Sequence, residues 1–175
     1  MKSLKLVFPI LLILTTLTSC SIRSSQFSSL VDMFQDPSDP LYAHSWTVRY
    51  GEYSAILYAV SMPDGVLFSN EYGDRFLFDG WVIREASGLG VSRADWKIVD
   101  SKNNRQFFNG NRLVGEHMCS AWVLDEQAGM KRFNQNCSSF SLHKNYILVN
   151  DNAEITLIRQ VVDGRNNFIT LSKNF

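Results

Sequence analysis

The sequence predicts an all-β domain: an antiparallel meander forming a sandwich or closed barrel, with one short N-terminal helix. Three observations carry this prediction. From residue 44 onward the apolar residues recur with period two, as in Trp46, Val48 and Tyr50 set between Thr47 and Arg49. Asx-Gly turn signals return every 8–12 residues or so. No helical run is long enough for a βαβ crossover, which excludes a doubly wound sheet.

The first nineteen residues read as an address. Lys2 and Lys5 form a positive leader, and residues 6–17 form an apolar stretch containing Pro9. That stretch is too short to span roughly 30 Å of hydrocarbon as a mature helix. It ends in Leu17-Thr18-Ser19-Cys20, an aliphatic residue, two small residues and a cysteine, which matches the bacterial lipoprotein box. Small residues fit the peptidase cleft, and the Cys20 thiol takes the diacylglycerol. Cleavage before Cys20 leaves 15 basic against 17 acidic residues. Each buried acyl methylene adds about 0.8 kcal/mol, so several chains on one cysteine anchor the protein stably without spanning the bilayer. Ser21 follows the cysteine. In a Gram-negative host Asp there is the usual inner-membrane retention signal, so Ser favours the outer membrane and its periplasmic face.

Residues 20–40 read as lipid tether and short helix. Residues 21–29 are Ser-rich, which suits a flexible tether. Phe27, Leu30, Val31 and Phe34 then mark one helical face at i, i+3, i+4 and i+7. Pro37 and Pro40 stop it.

Residues 41–175 form the β domain. Strand-like runs, rich in β-branched and aromatic residues, fall at 46–50, 54–61, 66–69, 75–79, 81–85, 95–99, 105–108, 120–125, 131–134, 138–142, 146–149, 154–162 and 167–172. Turn signals separate them: Pro63-Asp64-Gly65, Tyr72-Gly73-Asp74, Asp79-Gly80, Asn109-Gly110-Asn111, Asn150-Asp151-Asn152 and Asp163-Gly164. Asx-Gly pairs supply the positive φ that tight hairpins need. Alternation is too irregular, and the strands too short, for a transmembrane barrel. Large residues such as Phe76, Phe78, Phe107 and Phe108 predict a filled interior rather than a ligand cavity.

Composition narrows the partners. Seventeen basic residues balance seventeen acidic ones, with no basic run, so there is no electrostatic footprint for nucleic acid. A hydrophobic share of 45% with 19% charged residues fits neither a disordered chain nor a polytopic membrane protein.

With Cys20 given to lipid, Cys119 and Cys137 remain as an even pair, 18 residues apart, each beside a strand-like run. A disulfide there would contribute on the order of 3 kcal/mol. Buried free thiols are the other reading. A metal pair lacks a second ligand pair at zinc spacing beside His117.

Little else points to catalysis. His44, His117 and His143 are scattered, and no Gly-x-Ser-x-Gly elbow exists. Asp125 and Glu126 fall at a turn and are expected to be solvated. Gly88-Leu89-Gly90 lacks the Lys-Ser/Thr and helix of a phosphate loop. The reading is therefore a non-enzyme that needs no cofactor. Trp46, Trp81, Trp96 and Trp122 are expected mainly in the core. Trp81 follows the Asp79-Gly80 turn, and with Arg84 it is the candidate partner-binding pair, because aromatic and Arg residues anchor interfaces.

One resemblance extends this reading. The segment from Leu41-Tyr42-Ala43 to Gly88-Leu89 resembles the YjbF/GfcB-type lipoproteins of exopolysaccharide and group 4 capsule operons. Ser29-Leu30-Val31-Asp32-Met33-Phe34 looks like their short helix, and Tyr42-Ala43 like the lead-in to their first strand. Val48-Arg49-Tyr50-Gly51-Glu52 looks like that strand and its charged turn. Ile56-Leu57-Tyr58-Ala59-Val60 looks like their apolar strand. Leu67-Phe68-Ser69 stands where Trp-x-Ser would be. Phe76-Leu77-Phe78-Asp79-Gly80-Trp81-Val82 looks like their hairpin and Gly-Arg strand, with Gly88-Leu89 as its end. Phe68 replaces the family's Trp, and Trp81 replaces the Arg after Gly80. The resemblance implies an antiparallel β domain, a place at the outer membrane and a role beside the polysaccharide export machinery. A lipid-anchored β-barrel that binds an apolar ligand or a protein partner is the alternative.

Overall fold

A computed structural model describes residues 45–90, 95–127 and 130–175. The expected lipidation site Cys20, the expected helix around Phe27 to Phe34, the expected tether and His44 lie outside the described residues.

Among the described residues thirteen strands follow one another: β1 (Ser45–Tyr50), β2 (Tyr53–Met62), β3 (Gly65–Ser69), β4 (Arg75–Phe78), β5 (Ile83–Ser87), β6 (Asp95–Ser101), β7 (Asn104–Asn109), β8 (Arg112–Cys119), β9 (Val123–Gln127), β10 (Met130–Ser138), β11 (Leu142–Val149), β12 (Ile155–Val161) and β13 (Phe168–Lys173). All described pairings are antiparallel, and β13 pairs back onto β1 to close a ring. β8 and β9 occupy one place, because both pair with the same edge of β10, so the closed barrel has twelve positions. Of the two predicted architectures, sandwich or barrel, the structure is the barrel.

Closure removes the open edges that a twelve-position sheet would otherwise expose. The join at Ser45 is well sealed. Asn174 donates its backbone N–H to the Ser45 carbonyl at 3.0 Å, and the Thr47 hydroxyl donates to Asn174 Oδ1 at 2.9 Å. The other join is thin: only two register pairs, Cys137 with Cys119 and Ser138 with Met118, hold β10 to β8.

Period two sorts the side chains. Trp46, Val48, Leu57, Phe68, Phe76, Phe78, Ile98, Phe107, Ile158, Ile169 and Leu171 point inward, all at or below 2% exposure. Phe68 meets Trp46 edge-on at 4.9 Å between ring centres. The interior is thus filled, as Phe76, Phe78 and Phe107 predicted; Phe108 follows Phe107 directly on β7, is half-buried and lies outside the core, because neighbouring strand residues take opposite faces. Outward positions at strand centres carry Glu85, Lys97, Glu116 and Lys144, all exposed. The wall is mixed, because β2 turns Ile56, Tyr58, Val60 and Met62 outward as well.

Two contacts cross the interior. Gln160 on β12 accepts from the Ile83 amide at 3.1 Å and donates to the Trp81 carbonyl at 2.6 Å, tying β12 to the β4–β5 connection. Gly115 on β8 lies against Gly164 in the β12–β13 connection, and a methyl added at Gly115 would stand 2.8 Å from the Gly164 Cα. Gly164 adopts a φ of 70°, so glycine is required there by conformation and by space.

Two parts of the strand prediction need correction. β8 was not foreseen, because Gly115 and His117 interrupt its apolar alternation; Gly115 is there to admit Gly164 and not to fill the core. The run at 138–142 was expected to be a strand but holds the β10–β11 connection. Its alternation is accidental, since Phe140 is fully exposed. Asp125 and Glu126 are exposed as expected, but on β9 and not at a turn.

Candidate functional site

The inward face of β7, β8, β10 and β11 differs from the rest. Register aligns Arg105 with His117, Cys119 with Cys137, Cys137 with His143, and Gln135 with Asn145. The outcome is a polar sector inside an apolar barrel.

The cysteine pair closes it at the thin join. The sulfurs of Cys119 and Cys137 stand at bonding distance, with their Cα atoms 4.1 Å apart. Directly opposed strand residues bring Cβ atoms within disulfide reach, so register alone explains the pairing.

The amides of this sector are satisfied. Asn145 donates to Gln135 Oε1 at 3.3 Å and accepts from the Val161 amide at 3.0 Å. Gln135 donates to the Ser120 carbonyl at 3.0 Å. The cationic and titratable groups are not. Arg105, 0% exposed, spends only its Nε on Asp100 at 3.1 Å, while Nη1 and Nη2 are buried without a protein partner. His117 Nε2 lies 3.2 Å from the Gly164 carbonyl, so it carries the proton of the neutral ring. His117 Nδ1 and both ring nitrogens of His143 are buried without a partner. The two imidazoles are 4.8 Å apart, and Phe107 packs 4.5 Å from His117. Burial holds both imidazoles below the ordinary histidine range, and His117 adds a smaller downward push on His143. Burial likewise lowers Arg105, against the attraction of Asp100.

His117 also forms part of the wall of an open groove of about 840 Å³. Its sides are the β6–β7 turn, with Lys102 and Asn104, and the β10–β11 connection, with Ser139 and Phe140. The groove therefore runs along the thin join; of the polar sector it touches His117, while Arg105, Gln135, His143 and Asn145 do not line it.

The partner-binding candidates lie elsewhere. Trp81 does sit on the β4–β5 connection, as the Asp79-Gly80 signal implied. Its half-buried ring packs 5.2 Å from Phe133 and 5.7 Å from Trp122. Arg84 pairs with Asp79 at 2.5 Å, and the Asp79 carboxylate also accepts from the Trp81 and Val82 amides. Trp81 and Arg84 thus share Asp79, but neither touches the groove.

Sequence reasoning missed the convergence of Arg105, His117 and His143. The signal was available in the spacing: residue 117 lies two before Cys119, so on a strand it shares that cysteine's face. Position 143 was not derivable, because the β10–β11 connection was read as a strand. Among the described residues, no group of three His, Cys, Asp or Glu is placed to hold a metal ion. Compared with family models, curated proteins and solved structures, the chain matches none.

Proposed function

We propose that the protein is a lipid-anchored, periplasm-facing outer-membrane lipoprotein, a non-enzymatic accessory in exopolysaccharide or capsule production or export. The observation that carries this reading is the N-terminal address, a charged leader and apolar stretch ending in Leu17-Thr18-Ser19-Cys20. The polysaccharide assignment rests on the resemblance across residues 41–89. Two features of the fold support the address. A barrel with charged outward residues at its strand centres leaves membrane attachment to a lipid. A cysteine pair at bonding distance suits an oxidising compartment.

Deletion of the gene is the test. Surface or secreted polysaccharide should fall while precursor synthesis continues, and a Cys20→Ser variant, freed from the membrane, should fail to restore it. Trp81→Ala should complement poorly if this side of the barrel meets the export machinery. Normal polysaccharide in the deletion strain overturns the assignment.

The alternative, a lipid-anchored binding module, draws on the outer face of β2. There Ile56, Tyr58, Val60 and Met62 form a stripe of side chains 39–49% exposed. Alternate strand residues stack on one face, so the stripe is continuous, and Leu67 beside Val60 widens it. The packed interior favours a protein partner on that surface over an enclosed apolar ligand.

A further inference from the structure

We propose that residues 27–34 of this chain dock on the outer face of β2 and cover its apolar stripe from within the same molecule. Docking there is independent of the export role. Ile56, Tyr58, Val60 and Met62 alternate outward along β2, each 39–49% exposed. Leu67 on β3 lies opposite Val60, and Leu77 on β4 lies opposite Leu67, so the stripe widens into a patch across three strands. Single exposed apolar residues are ordinary, but a contiguous patch marks an interaction surface.

Position names the occupant. The described part of β1 begins at Ser45, which pairs with Tyr58 within the stripe. The preceding chain therefore joins the barrel at the patch itself. Phe27, Leu30, Val31 and Phe34 stand at i, i+3, i+4 and i+7, one apolar face of a two-turn helix. Ten residues, 35–44, separate that face from Ser45. Extended, they reach about 33 Å, whereas Ile56 to Met62 covers about 20 Å of strand. Pro37 and Pro40 stop a helix from running on, so the chain can reverse there. A short connection also keeps the local concentration of the face in the millimolar range. A helix about 10 Å across covers two strands spaced about 4.8 Å apart, the width from β2 to β3.

Chemistry disfavours the other occupants. From Phe27 to Asp36 the chain carries Asp32 and Asp36 and no Lys or Arg, so it lacks the basic face by which an amphipathic helix holds an anionic bilayer. A second barrel fits poorly, because six partly exposed side chains fall well short of the ~800 Å² per partner of a standard interface. A protein partner on the same stripe must first displace the segment. Where Cys20 holds lipid, docking leaves residues 21–26 as tether, about 20 Å at most, and release extends it to residues 21–44, about 80 Å. That change of reach alone rests on lipid at Cys20.

Photo-crosslinking of the full chain in intact cells tests the docking, with p-benzoylphenylalanine in place of Phe34. Light should join position 34 to residues of β2 or β3 in the same chain, read by mass spectrometry of the digest. Val60→Asp should lower the yield of that crosslink at least fivefold while the barrel stays folded, since residue 60 faces outward. Tyr58→Ser serves if Val60→Asp does not fold. Chymotrypsin on permeabilised cells gives a second readout without the photoreactive group. Cleavage after Phe27, Leu30 or Phe34 should be at least tenfold faster in Val60→Asp than in the wild type. Crosslinks chiefly to lipid, to a second copy or to another protein overturn the proposal, as does equal cleavage of the two chains. Neither readout depends on polysaccharide, so docking and the export role fail separately.

Discussion

The barrel holds two interiors. Between β13 and β6 it is closed by Trp46, Phe68, Phe76, Phe78 and Ile98, packed wall to wall. Between β7 and β11 the same alternation delivers Arg105, His117, Gln135 and Asn145, interleaved with Phe107 and Ile147. The first sector is held by area removed from water, a nondirectional gain that tolerates no particular ring geometry but needs volume. The second is held by specific partners, by one covalent bridge and by a glycine contact. It is also where the ring is joined by only two residue pairs. Stability is thus concentrated on one side, and chemical specificity on the other.

That contrast can be broken from either side. The largest effect is expected at Phe76, which is wholly buried between Phe68 and Ala86 in register. Phe76→Ala should cost about 3–5 kcal/mol, read from denaturant unfolding of the disulfide-intact protein. Loss of the bridge should come next. Cys119→Ala should lower stability by about 3 kcal/mol, and both thiols should resist alkylation in denaturant until reductant is added. Thiols that react freely without reductant would remove the bridge from the account. Gly115→Ala should cost about 1–3 kcal/mol, because backbone and not a movable side chain faces the new methyl.

The smallest effect sharpens the comparison by pH. Folding holds His117 and His143 below their ordinary values, so the unfolded chain binds protons that the folded one refuses. Stability should be full above about pH 6.5 and fall as pH drops through the unfolded histidine range toward the lower folded values. Replacing either histidine by Phe should flatten this slope, while Phe76→Ala should shift the whole curve down without changing it. An unfolding free energy that does not change between about pH 7 and 5 would mean that the imidazoles are not held neutral.

The first sector was the legible one. Trp46, Val48, Phe76 and Phe78 repeat with period two, and Asp79-Gly80 or Pro63-Asp64-Gly65 mark where each strand ends. Period and turn chemistry are local properties, so they can be read residue by residue. The second sector was not. Gly115 owes its place to Gly164, 49 positions away, and His117 to the same connection. A glycine or histidine in a strand breaks the apolar pattern, and its compensating partner is supplied only by the closed ring. Cys119 and Cys137 were foreseen as a pair because oxidation state and an even count are compositional facts. That they bridge the thinnest join follows from register, which no local pattern reveals.

The seal between β1 and β13 has a mechanical consequence. Both strands meet antiparallel, and the Asn174 amide reaches the Ser45 carbonyl, so the domain's first and last strands begin and end side by side. A pull between residues 45 and 174 is directed across this ladder and opens its hydrogen bonds one after another, starting from that edge. A pull between residue 45 and the Gly110 hairpin, several strands round the ring, must instead distort many ladders together. The same domain therefore yields readily to load between residues 45 and 174 and resists load between residue 45 and a distant hairpin. A partner that held the domain at Gly110 against a lipid anchor would strain its stiffer direction.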